Sequence, residues 1–129
     1  MEIMNKNQYY KRLILQNQID DCRRIIDNSI KGRKRIILDA QQKEMFFELG
    51  TIFTAFLTKQ DNKTHAKDLA KILSISHATI SRLFFDKDYI GFNKKKILNI
   101  LDSIERVSDE KIATLEEAKD KAFVYHQTD

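Results

Sequence analysis

THAKDLAKILSISHATISRL, residues 64–83, reads as two short helices joined by a tight turn. Leu69, Ala70, Leu73, Ile75, Ile80 and Leu83 are spaced so that two crossed helices bury all six. Ala70 is the small residue that lets the second helix approach closely. The first helix is expected over about residues 66–73, after a polar break at 60–63 in which Asn62 or Thr64 serves as the cap. The turn is Ser74-Ile75-Ser76, with Ile75 plugging the gap between helices. Ser76 is a good N-cap for a second helix over about residues 77–85.

The face of the second helix left outside carries Ser76, His77, Ala78, Thr79, Ser81 and Arg82. These groups hydrogen-bond phosphate oxygens and base edges, and no acidic residue lies between Leu69 and Phe85. The pattern implies a helix-turn-helix that enters the major groove of double-stranded DNA.

On the N-terminal side, Leu15, Ile19, Cys22, Ile26 and Ile30 form one apolar stripe over a helix of about residues 5–30. Tyr9, Tyr10, Leu13, Ile14 and Ile25 flank it. The stripe either packs back on the domain or pairs with the same helix of a second subunit. Lys31, Gly32, Arg33, Lys34 and Arg35 follow, the densest positive cluster in the chain. Gly32 is a plausible terminator, because it accepts positive φ at little cost. The cluster is either a solvated hinge or a basic arm on the DNA backbone or in a minor groove. A long helix is then expected over about residues 36–59. Its Met45, Phe46, Leu49, Ile52, Phe53, Phe56 and Leu57 make a buttress for the reading helices, and Gly50 permits a close crossing.

Beyond the motif, Ile90 and Phe92 read as anchors that close the core. Asn93 should cap a helix that buries Ile97, Leu98, Ile100, Leu101 and Ile104. Lys94, Lys95 and Lys96 fill its first turn, where each cation opposes the helix dipole by roughly 0.3–1 kcal/mol at low salt. A DNA phosphate there removes the conflict. Ser108, Asp109 and Glu110 read as the start of a separate last helix ending near Ala122. The expected organisation is residues 1–35 as an N-terminal helix and basic linker and a candidate dimerisation arm, 36–107 as the DNA-binding domain, and 108–129 as a C-terminal helix and tail.

The chain has 129 residues, 42% hydrophobic and 33% charged, with no proline, no tryptophan and three glycines. So few breakers, together with helical apolar spacings, predict an all-α protein of five or six helices. The net charge is +4. The basic excess lies over the first two thirds of the chain, and the tail is acidic. A single cysteine precludes an intramolecular disulfide, and neither a secretory signal nor a membrane-length apolar run is visible, so a cytoplasmic protein is expected.

Residues 64–104 resemble the DNA-binding headpiece of the lambda-repressor-like superfamily. The look is closest to the lac-repressor family through Ser76-His77-Ala78-Thr79-Ile80-Ser81-Arg82-Leu83, a connection ending in Ile90, and the basic helix start Asn93-Lys94-Lys95-Lys96-Ile97. The resemblance covers about a third of the chain. It implies that His77, Ala78 and Arg82 face base edges, with Arg82 able to bind guanine O6 and N7 together. Thr64, Ser76, Thr79, Ser81, Asn93, Lys94, Lys95 and Lys96 would contact the backbone, with Lys31, Arg33, Lys34 and Arg35 as the possible basic arm. Ser74 stands where a glycine is usual in the turn. No large sugar-binding domain is present, so no small-molecule effector is indicated, and the N-terminal extension has no counterpart in that family.

Other chemistries find little support. His65, His77 and His126 stand apart, with no array at metal-ligand spacing. Cys22 lies on an apolar stripe, where a buried inert thiol is expected. No Gly-rich phosphate loop is present, and neither a cofactor nor an enzymatic activity is expected. The function implied is a sequence-specific, homodimeric DNA-binding protein, a transcriptional repressor of bacterial, phage or plasmid type. The alternatives are an accessory factor for plasmid or phage replication, segregation, transfer or recombination, and a helical protein-interaction module of antitoxin-like or adaptor type.

Overall fold

The computed structural model describes the backbone of residues 2–57 and 66–127 and the side chains of residues 7–57 and 66–118. Thr64, His65 and the side chain of His126 lie outside the described residues, as does the expected cap at Asn62 or Thr64. The elements run α1 (Glu2–Asp27), β1 (Arg35–Ile37), α2 (Ala40–Leu57), α3 (Ala66–Leu73), α4 (His77–Phe84), β2 (Gly91–Asn93) and α5 (Lys94–Gln127). The chain is mostly helical, as expected.

The apolar stripe of α1 is buried at Leu15, Ile19, Cys22 and Ile26, against α2 and α5. Ile30, expected to continue it, falls beyond the helix end and is exposed. α1 and α5 run antiparallel and are joined by a polar seam. Arg12 pairs with Asp109 at 2.8 Å, and Arg23 reaches Asp102 at 2.7 Å and Glu105 at 2.6 Å. Gln16 donates to Glu105 at 2.8 Å. The ion-paired hydrogen bond to Arg23 holds the Glu105 carboxyl below its usual range.

Two expectations about the elements are corrected. The first concerns residues 36–39, which are extended rather than helical. Burial alternates there, with Ile36 and Leu38 buried and Arg35 and Ile37 exposed, the period of a strand. β1 pairs antiparallel with β2 in the register Arg35↔Asn93, Ile36↔Phe92, Ile37↔Gly91. α2 starts only after Asp39, whose side chain accepts from the Gln42 N–H at 2.8 Å while Gln42 accepts from the Asp39 N–H at 3.0 Å. That reciprocal capping box sets the boundary. The small sheet also places Ile90 at its rim, where it is exposed, so Phe92 alone is the anchor.

The second concerns Ser108, which does not begin a helix. It is fully buried within α5, and its hydroxyl donates to the Ile104 carbonyl one turn back. With no proline or glycine between Lys94 and Gln127, nothing interrupts the helix. Within the motif, Leu69, Ala70, Leu73, Ile80 and Leu83 are buried and Ile75 is half-buried between the helices. Gly50 faces α4: a Cβ there would lie 3.1 Å from the Phe84 ring, which gives the close crossing a physical reason.

Candidate nucleic-acid interface

The turn between α3 and α4 keeps the conformation that a glycine would supply. Ser74 adopts φ +55°, the Ile75 N–H bonds the Ala70 carbonyl at 3.0 Å, and the Ser74 N–H bonds the Lys71 carbonyl at 3.3 Å. This is a Schellman ending with serine in the left-handed position. Ser76 then caps α4 by accepting from the Thr79 N–H at 3.2 Å, and its hydroxyl lies 2.6 Å from that of Thr79. The short turn and firm cap fix the direction in which α4 leaves α3.

α4 buries Ile80, Leu83 and Phe84. His77, Ala78 and Arg82 are exposed, and Thr79 and Ser81 are half-buried on its flanks. The Arg82 guanidinium lies 5.0 Å from the centre of the Tyr89 ring, and Tyr89 stands edge-on to Phe92 at 5.3 Å. Phe92 in turn lies 4.8 Å beneath the ammonium of Lys43. Lys43 is 3% exposed and donates to the Arg82 carbonyl at 2.7 Å and the Leu83 carbonyl at 3.2 Å. These contacts close a loop: Arg82 is held at its side chain by an aromatic pair and at its carbonyl by the lysine that stands over Phe92. Burial pushes the Lys43 amine down to about 8.

β1 brings Arg35 to this region. Its guanidinium donates to the Gly91 carbonyl at 3.2 Å, and Arg35, Thr79, Arg82, Tyr89, Asn93 and Lys96 line one cleft between α4, the sheet and the start of α5. Asn93 caps α5 by accepting from the Lys96 N–H at 3.2 Å. The three lysines of that first turn divide. Lys95 and Lys96 are exposed, whereas Lys94 is half-buried and donates its ammonium to the Ile30 carbonyl. The basic cluster divides too. Arg33 and Lys34 line a wider groove with Ile25, Ile30 and Ile37, Arg35 lines both that groove and the cleft, and Lys31 is exposed in the loop.

Among the described residues, no carboxylate forms an ion pair with Arg35, Arg82, Lys95 or Lys96, while Arg12, Arg23 and Arg24 all have acidic partners. Arg35, Arg82 and Lys96 thus bring three cations without an ion-pair partner among the described residues to one cleft beside α4. Neither Lys43 nor Tyr89 carries a sequence signal for these contacts. The alternation of Arg35-Ile36-Ile37-Leu38 and the Asp39/Gln42 box were the signals that could have placed Arg35 on a strand.

Elsewhere, burial, reinforced by Asp21 and Glu48, pushes the Cys22 thiol up to about 12, which leaves it protonated and unreactive at neutral pH. Among the described residues, no group of three or more His, Cys, Asp or Glu side chains converges to hold a metal ion, and no helix is long and apolar enough to cross a membrane. Comparison with protein-family models, with characterised proteins and with solved structures finds no match to this chain.

Proposed function

We propose that the chain binds double-stranded DNA through α4, as a sequence-specific regulator of the lambda-repressor-like kind, a repressor that occupies a promoter. The observation that carries this reading is the short, acid-free face of α4. There His77, Ala78 and Arg82 are exposed, Arg82 shares a cleft with Arg35 and Lys96, Lys95 is exposed on the first turn of α5, and none of these four cations has an ion-pair partner among the described residues. A polar helix face flanked by unpaired cations meets the two needs of a DNA reader: donors for base edges and charge for the phosphates on either side. Thr79, Ser76 and Ser81 supply neutral donors to those phosphates. Lys94, engaged with Ile30, contributes less than its two neighbours.

The reading extends to a homodimer on a pseudo-palindromic site, with half-sites about 34–36 Å apart or a multiple of it. Selection of bound sequences from random duplex DNA tests the proposal. Arg82→Ala is expected to lose roughly 1–3 kcal/mol on the selected site and to relax choice at one base pair. Lys95→Ala is expected to weaken all sequences alike and to flatten the salt dependence by about 1. Equal loss on every sequence for Arg82→Ala overturns its base-reading role. A selected site at a replication or transfer origin instead of a promoter would favour the accessory-factor role. Absence of any salt-dependent DNA binding would favour a protein-interaction module.

A further inference from the structure

We infer that the cleft between α4, the two-stranded sheet and the first turn of α5 seats a single backbone phosphodiester of DNA, held jointly by Arg35 and Lys96. The inference rests on the DNA-binding reading and deepens it, because it turns part of an apparent basic arm into a fixed element of the reading head.

The register of the sheet sets Arg35 opposite Asn93, the capping residue of α5, so a cation from before α2 lies beside one from the first turn of α5. Both line the same cleft, and neither has a carboxylate partner among the described residues. Two like charges that converge without a counter-charge repel, and an anion between them converts that repulsion into two charge-assisted hydrogen bonds. The walls add neutral donors. Thr79 offers its hydroxyl, and the Asn93 side chain, whose oxygen accepts from the Lys96 N–H, retains its amide N–H groups.

Arg82 borders the cleft, restrained over Tyr89. A phosphate locked at this point fixes where Arg82 stands along the groove, so the seat sets register while Arg82 reads sequence. A mobile arm could not do this, because its contact would not hold α4 at a fixed distance from the strand.

The test is the salt dependence of binding to the selected duplex, measured by fluorescence anisotropy for the full chain and for Arg35→Gln, Lys96→Gln, the double variant and Arg35→Lys. One phosphate contributes about 0.9 to the slope of log K against log salt. A shared phosphate predicts that the double variant loses about 1 in slope, no more than the larger single loss, with Arg35→Lys close to the parent. A loss of about 2 in the double variant means two separate phosphates and overturns the inference. So does an unchanged slope, or an Arg35→Lys loss equal to that of Arg35→Gln, which marks a purely structural role. Lys96 is exposed, so Lys96→Gln retains the fold even where Arg35→Gln does not, and by itself it must flatten the slope. A parent chain that binds no duplex at any salt fails the DNA-binding reading itself, a result distinct from all of these.

Discussion

Ser74 sits at φ +55°, where a Cβ is crowded by the backbone and glycine is not. Its side chain is exposed, so its strain has no evident compensation in packing. Ser74→Gly is expected to stabilise the fold by roughly 0.5–1 kcal/mol, the relief of a left-handed residue less the extra entropy of glycine in the unfolded chain. Thermal and urea melts would show it, and a destabilised variant would mean that the hydroxyl makes up the difference. Lys43 poses the opposite case, a cation buried for a purpose. Its folded amine titrates near 8 and its free one near 10.5, so between those values the unfolded chain binds more protons than the native one. Its contribution to stability therefore rises as pH increases from about 8 and is complete above about 10.5. A neutral amine still has two N–H groups for the Arg82 and Leu83 carbonyls. The unfolding free energy of the parent minus that of Lys43→Met should climb across that window, and a flat difference would mean that the amine keeps its proton.

Two of the helices draw on lysines of distant elements at carbonyls near their C-terminal side. Lys43 donates to the Arg82 and Leu83 carbonyls of α4, and Lys111 to the Phe56 and Leu57 carbonyls, the last described residues of α2. Cations at C-terminal carbonyls are favoured by both hydrogen bonding and the helix dipole. Such long-range caps leave no mark in local sequence. The local caps were readable. Ser76 and Asn93 do what their types and positions suggest, and the Asp39/Gln42 box marks a start for α2 that the aromatic stripe alone, which extends the pattern back to residue 36, does not. Ser108 misled for a related reason. A serine followed by two acids looks like a helix start, but here its hydroxyl turns back to its own helix in the core. The α2–α4 crossing supplies a test at this level. Gly50→Val forces methyl groups into space held by the buried Phe84 ring, and should cost roughly 1–3 kcal/mol while displacing α4. A melt unchanged from the parent would show that Phe84 can move aside freely.

The molecule divides its charges between two tasks, and the division bears on assembly. Arg12 and Arg23 are spent on the α1–α5 seam, while Arg35, Arg82, Lys95 and Lys96 face solvent. The apolar spacing of the motif and of α1 was plain in the sequence. The pairing of β1 with β2 was not, because three-residue strands so far apart carry too little pattern to announce a partner. Since Leu15, Ile19, Cys22 and Ile26 are core residues, deleting residues 1–30 would unfold the chain rather than test dimerisation. The flank of α1 offers a cleaner probe. Tyr10, Leu13 and Ile14 are 65%, 58% and 40% exposed on adjacent turns, an apolar patch that the described residues leave open. Neighbouring Tyr9 bonds Glu116, which lies about 33 Å along α5 from Lys94 at 1.5 Å per residue. Two copies joined at this distal patch would leave both reading helices free, as a two-headed reader of a palindrome requires. Leu13→Glu should therefore turn the proposed dimer into a monomer in sedimentation, with stability changed by no more than about 0.5 kcal/mol because the side chain already faces water. It should also weaken binding to the full palindrome while leaving half-site affinity unchanged. A variant that still sediments as a dimer would exclude this face as the interface and turn attention to the wider groove lined by Ile25, Ile30 and Ile37.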